Sequence, residues 1–576
     1  MAHTRQLFSK RTRTMQQFRQ GTPMRPTLTL LASALLAISL TGCLSSGGGG
    51  GGGNTPPEPP RASTTQGDYA GITLDDMRVF RGIRYGAAPV GELRFASPEP
   101  APAHEQEIEL SDQFGSACPQ AGGAFGPASN NEDCLFLNVY APAEPGEYPV
   151  MVWIHGGAFV SGDGGSSYEP QRLVEQGVVV VTINYRLGVL GFLPHAALEN
   201  SNFGLQDQKL ALQWVQDNIS AFDGDPDNVT IFGESAGGHS VLSQLASPDA
   251  EGLFNTDRLF HKAIVQSGSY NGDQIQLADP LPGFIPGGQT LFAEPFINDT
   301  TCASEEDAAL VTCLRNLSVA DILAKQPANI IPVTGTPTLP ASINAALTSG
   351  NFNQVPVMIG SNLEEGALFT LLAIFGGANL QSEEGYRTAV ATLLSENPRL
   401  DSSEIADYYL DKQNPLNPAP FITAYTQIGT DWRFSCPNNN QWSLLEDRVD
   451  TWGYWFTDRN APNPLPITPP FPLGASHVVE IQYMLNTFDT LTERGAGENQ
   501  LRLADYMAEY WANFAKFTDP NSTDGAAEAV EWPLYNDGGN IIRLNAPTPA
   551  SVAVSDFRTF HECETVWNDP PLLPLP

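Results

Sequence analysis

Short, unbroken apolar runs rich in Val and Ile recur along the chain: Val150 to Ile154, Val178 to Ile183, Val229 to Phe232, Ala263 to Val265 and Val355 to Ile359. Runs of this length without alternation read as strands buried on both faces, as in a parallel sheet. Between them the spacing changes. From Leu205 to Ile219 the residues Leu205, Leu210, Leu212, Trp214 and Val215 mark one buried face of a helix. Strands alternating with helices predict an α/β domain, its parallel or mixed sheet covered on both sides. Sites in such sheets form beyond the carboxyl ends of the strands. The pattern begins near Gly67 and runs to the Pro-rich end without an internal repeat, predicting one domain over 67–576. With 576 residues, 41% hydrophobic and 16% charged, the chain can bury a large core and is too apolar to be disordered. The high Gly (53) and Pro (47) counts point to many ordered loops around that scaffold.

The first 42 residues follow another pattern. Six basic residues (Arg5, Lys10, Arg11, Arg13, Arg19 and Arg25) and no acidic ones precede an apolar run from Leu28 to Leu40. The run is short for a permanent span, so residues 1–42 read as a secretory signal peptide. It ends in Leu40-Thr41-Gly42-Cys43, which resembles the bacterial lipobox, implying a diacylglyceryl group on Cys43. Seven glycines at 47–53 and a Pro-rich stretch follow, a flexible then semi-extended linker over 43–66. The expectation is an exported protein tethered by two or three acyl chains to the bacterial cell envelope. Leu44 rather than Asp after Cys43 fits sorting to an outer membrane, again by resemblance.

The formal net charge is −35, and removing the basic leader makes it six units more negative. Phosphate recognition needs the opposite sign, which excludes a nucleic-acid partner. Solubility, as a saline habitat would demand, accounts for the charge. Steering of cationic substrates is the alternative, one that added salt would weaken. Beyond Cys43 there are six cysteines, Cys118, Cys134, Cys302, Cys313, Cys436 and Cys563, an even count that in an exported chain implies disulfides. Six cysteines allow 15 pairings. Joining sequence neighbours is the simplest for the first four and leaves Cys436 with Cys563.

Candidate chemistry centres on Gly233-Glu234-Ser235-Ala236-Gly237, placed where a predicted strand turns into a helix. Small residues two before and two after Ser235 suit a turn too tight for side chains, which lifts the hydroxyl above the sheet at a helix N-terminus. A Ser nucleophile needs a base and an acid, which follow it in chain order in this kind of fold. Of eight histidines only His239, His261, His477 and His561 follow Ser235. His239 is too near in sequence to reach back over the turn, His261 precedes any later acid, and His561 sits beside Cys563. His477, in a loop expected to run into a helix, is the best base. Glu364 and Glu365 end an apolar strand and are both candidate acids on chemistry alone. Val152-Trp-Ile-His-Gly-Gly-Ala158 follows another strand. There Gly156 and Gly157, together with Ala236, offer backbone N–H groups to a developing oxyanion.

Together these residues resemble the type-B carboxylesterase and cholinesterase family. So do Phe80 to Gly86 with Leu93-Arg-Phe95, Glu132 to Asn138, Asn184-Tyr-Arg186, Phe203 to Gln208 and Phe222 to Pro226. The likeness covers about residues 67–566. It implies the α/β-hydrolase fold, a central mostly parallel sheet flanked by helices with large insertions around the active site. It also implies a serine carboxylesterase using a catalytic triad and acting on small to medium carboxylic esters, with no metal or cofactor. By that resemblance the acid is Glu365, the base His477, and Glu234 and Ser267 are supporting positions that order the His and a nearby water. The disulfides are Cys118–Cys134, Cys302–Cys313 and Cys436–Cys563. The chain departs from the cholinesterases: the 118–134 loop is short and its only aromatic is Phe125, and the segment just after Ser269 lacks the Trp that lines a cholinesterase acyl pocket. Choline esters are therefore not the expected substrates. The apolar run 367–375 and the Phe-rich insertion 275–297 are candidate acyl-pocket walls, or equally core or lid. Alternatives are an inactive adhesion or binding relative, or the same chemistry on amides, lactones or polyesters.

Overall fold

The computed structural model describes residues 58–567 apart from 166, 199, 249–257, 281–285, 396, 398, 487–489 and 522–529. The expected signal segment 1–42, Cys43 and the linker as far as residue 57 lie outside the described residues. The folded chain begins inside the stretch expected as linker: Arg61–Thr64 pairs antiparallel with Gly67–Ala70 in a small sheet.

The main sheet consists, among the described residues, of β1 (Ile72–Leu74), β2 (Met77–Arg84), β3 (Phe136–Pro142), β4 (Tyr148–Ile154), β5 (Val179–Ile183), β6 (Gly224–Glu234), β7 (Lys262–Gln266), β8 (Val357–Asn362), β9 (Thr451–Phe456), β10 (Asn540–Leu544) and β11 (Ala550–Ala553). Their spatial order is β11-β10-β9-β8-β7-β6-β4-β5-β3-β2-β1. Every pairing from β5 through β10 is parallel, and the pairings at both edges are antiparallel. The apolar runs thus occupy the centre of the sheet, where both faces are covered: every residue of β5, β7, β8 and β9 is buried. The fold is that of an α/β hydrolase, a large, mostly parallel sheet flanked by helices.

Two strand boundaries differ from expectation. β8 starts at Val357 because Pro356 has no N–H for the ladder, and the strand extends to Asn362. β6 is longer than its apolar core, taking in the polar Gly224–Asn228 segment. The helix expected from Leu205 is α1 (Phe203–Asn218). It is followed by α2 (Ala236–Ala246), α3 (Gly366–Phe375) and α4 (Glu498–Phe517). α1 and α2 pack on β6, and α4 packs across β4 and β6.

Two of the sequence blocks are tied by buried ion pairs. Arg186, after β5, binds Asp207 on α1 through two side-chain contacts at 2.7 and 2.8 Å, and Asp207 also accepts the Arg186 N–H. Arg94 pairs with Glu132 in the same way. Disulfides join Cys118 to Cys134, Cys302 to Cys313 and Cys436 to Cys563. The sheet's direction of growth reverses at β4: the next strand in the chain, β5, lies on one side of it and β6 on the other. That reversal opens a crevice beyond the carboxyl ends of β4 and β6.

Candidate active site

Both glycine-rich turns open into this crevice. β6 ends at Glu234, Ser235 adopts φ 55° and ψ −121°, and α2 begins at Ala236. A non-glycine residue in this region is strained by about 1–3 kcal/mol, and the surroundings must hold it there. Ser235 N–H donates to Gln266 O of β7 at 2.9 Å, and Ser235 O accepts the His239 N–H at 2.8 Å. The turn is pressed against the end of β4, so that a Cβ on Gly237 would lie 1.9 Å from Ile154 O. Only glycine fits there. The chain leaving β4 therefore passes directly over the Ser235 turn, where Gly156 lies so close that its Cβ would stand 3.2 Å from Ser235 Cβ. Gly157 has φ 108°, and Ala158 and Phe159 also have positive φ. A Cβ on Gly157 would meet Ser161 O at 2.1 Å.

The segments after β8 and β9 bring the remaining groups. His477 Nδ1 lies 2.6 Å from Glu365 Oε2, and both side chains are buried. The other carboxylate oxygen of Glu365 accepts from Ser267 Oγ at 2.6 Å and from Asn362 N–H at 2.7 Å. Ser267 thus acts on the acid rather than on the His. Glu364 points elsewhere: it accepts the Ala475 N–H at 2.9 Å, donates its own N–H to Ala475 O at 3.0 Å, and pairs with Arg459 at 2.9 Å. Its task is to hold the loop that carries His477. Beyond His477 the chain forms turns and the short 3-10 segment Ile481–Tyr483, not the expected α-helix. The three other histidines after Ser235 have partners of their own. His561 pairs with Asp431 at 2.6 Å, His239 lies beside Ser243, and His261 accepts the Val229 N–H.

His477 Nε2 is buried without a hydrogen-bond partner, and Glu234 Oε1 lies 3.2 Å from it. Burial alone would lower the imidazole pKa, but the carboxylates of Glu234 and then Glu365 outweigh it and raise it to about 9. Glu234 is itself pushed well above the usual carboxylate range, chiefly by burial. Two such groups in contact titrate as a unit.

Several residues at this site carried no motif. Glu480 is buried, accepts from Asn362 Nδ2 at 2.6 Å and from Gln266 Nε2 at 3.2 Å, and is raised to about 7, chiefly by burial. An acidic residue within Val478-Val479-Glu480-Ile481 was a readable signal. Phe369 and Phe434 flank the imidazole with ring centroids 5.1 and 4.9 Å away. Tyr270 packs on Phe434 and His239, and its phenol lies near Ser235. Within the apolar run 367–375, Phe369 faces the His, Ala367 and Leu371 pack on Leu473, and Leu372 and Phe375 are exposed. Phe292 and Phe296 of the insertion are buried, and residues 281–285 lie outside the described residues.

Beside Ser235 a cleft with about 50 Å³ of free space is lined by Phe125, Gly156, Gly157, Tyr168, Glu234, Leu465, Val478 and Ile481, among others. That is room for about three or four water molecules. A roomier cavity of about 510 Å³, between Lys412, Asp431 and Glu562, includes none of the groups around Ser235.

Residues 58–562 match the carboxylesterase family. The chain belongs to that family. It is 33% identical to the para-nitrobenzyl esterase of Bacillus subtilis over 82% of this chain and 92% of that protein. It is 34% identical to the human cocaine esterase over 84% and 86% of the two chains. The acetylcholinesterase of Bungarus fasciatus is 30% identical over 82% and 81%. Family membership and these relatives make the chain a carboxylesterase, hydrolysing esters.

Proposed function

We propose that hydrolysis proceeds through an acyl-enzyme on Ser235. What supports this is a strained Ser at a helix N-terminus, directly after Glu234, whose carboxylate lies 3.2 Å from His477 Nε2 of the buried Glu365–His477 pair. Ser235 Oγ attacks the ester carbonyl and gives its proton to His477 Nε2. The N–H groups of Gly156, Gly157 and Ala236 receive the oxyanion, each worth a factor of about 100 or more in rate. Glu365 stabilises the imidazolium. His477 then protonates the leaving alkoxide, and water activated by the same nitrogen releases the acid. Aromatic walls from Phe369, Phe434 and Tyr270 and the narrow cleft beside Glu234 favour small to medium uncharged esters. Phe125 is the only aromatic of the short 118–134 loop, which argues against choline esters. The basic leader, its apolar run and the Leu40-Thr41-Gly42-Cys43 segment support export and lipid anchoring at Cys43 to the cell envelope.

The test compares wild type with Ser235→Ala on p-nitrophenyl acetate and butyrate, with mass spectrometry after a fluorophosphonate probe. Loss of turnover and of the adduct in the variant is expected. Equal turnover of the two proteins sinks the acyl-enzyme reading. Membrane partition of the full chain and of Cys43→Ser tests the anchor, which fails if both partition alike.

A further inference from the structure

Val478 directly follows the base and has a φ of 70°, a conformation that β-branched residues adopt only when forced. The backbone accounts for part of it: the Val478 N–H lies near the Glu234 carboxylate and partly offsets the effect of burial on it. Its carbonyl accepts from Ile481 N at 3.3 Å. Both interactions involve only main-chain atoms of residue 478, so glycine would serve them without strain. The isopropyl group does something the backbone does not. It is partly exposed and lines the small cleft between Phe125, Leu465 and Ile481.

The chemistry assigns that cleft to one half of the substrate. The departing alkoxide takes its proton from His477 Nε2, the nitrogen that faces Glu234. The alcohol portion must therefore lie on the Glu234 side of the nucleophile, and Glu234, Gly156, Gly157 and Val478 bound the cleft there. We infer that Val478 is a specificity-determining residue, whose side chain restricts the alcohol portion of the ester to small apolar groups. The inference rests on the acyl-enzyme reading above and adds to it the half of the substrate that is selected.

Two ester series separate the possibilities: acetates graded by alcohol from methyl to benzyl, and p-nitrophenyl esters graded by acyl chain from acetate to octanoate. Wild type, Val478→Ala, Val478→Gly and Ser235→Ala are compared on both. Removing two methyl groups should raise the benzyl-to-methyl ratio of kcat/KM about tenfold or more in Val478→Ala, and further in Val478→Gly. The acyl-chain ratios should move less than twofold. A gain on the bulky alcohol cannot come from misfolding, and Val478→Ile should lower the same ratio. An unchanged alcohol profile, or a shift confined to the acyl series, overturns the assignment. Turnover that survives Ser235→Ala overturns instead the reading on which it rests.

Discussion

Removing the Ser267 hydroxyl tests whether the site works as a connected chain of hydrogen bonds. Glu365 is wholly buried and has three close donors: Ser267 Oγ at 2.6 Å, Asn362 N–H at 2.7 Å and His477 at 2.6 Å. Ser267→Ala leaves one carboxylate oxygen, inside a wholly buried side chain, with a single donor. Hydrogen bonds to a charged group contribute about 1.5–3 kcal/mol net. If that support is felt while His477 carries its extra proton, kcat/KM falls about 10- to 100-fold, since about 1.4 kcal/mol is tenfold. Thermal denaturation should show a loss of about 1–3 kcal/mol from the partly unsatisfied acid. The assay is kcat/KM on p-nitrophenyl butyrate in a double-mutant cycle with Glu365→Gln. Because Ser267 acts through Glu365, its deletion should cost little once the carboxylate is gone. A drop of less than twofold in the single variant, or full additivity in the double, refutes the reasoning.

Other expectations follow from the same geometry. The base must be unprotonated, so kcat/KM should rise with pH through the His477 titration, toward its raised value of about 9, and fall below it. Glu234→Gln removes a charge that raises this pKa, so the acid limb of the profile should move to lower pH; a limb that stays put contradicts the coupling. Asp207→Asn strands the buried Arg186 guanidinium and should destabilise the fold by about 3–5 kcal/mol in chemical denaturation. A loss under 1 kcal/mol would show the pair to be solvated.

The strand–turn–helix around Ser235 was legible because its constraints are local. Gly237 is required by a backbone oxygen 1.9 Å from where its Cβ would be, and sterics of that kind leave a short, fixed pattern. The central strands were legible too, since burial on both faces removes polar residues from them. The division of labour between Glu364 and Glu365 was not: the two are chemically alike, and only the loop after β9 distinguishes them. Phe434 and Tyr270 come together across stretches far apart in sequence, and no periodicity signals such a meeting. The left-handed conformation of Val478 is equally silent, because β-branched residues are the ones least expected there. The lost helix after His477 has a related cause. Val478 takes a left-handed φ of 70°, which breaks a helical ladder one residue after His477.

The neighbouring carboxylates Glu364 and Glu365 have one more consequence. One grips the backbone of the loop at Ala475 and the other grips the imidazole, so a single dipeptide step clamps the base at two points. The imidazole is thereby held to the chain leaving β8 at two points, and its free nitrogen is turned to Glu234 at the end of β6.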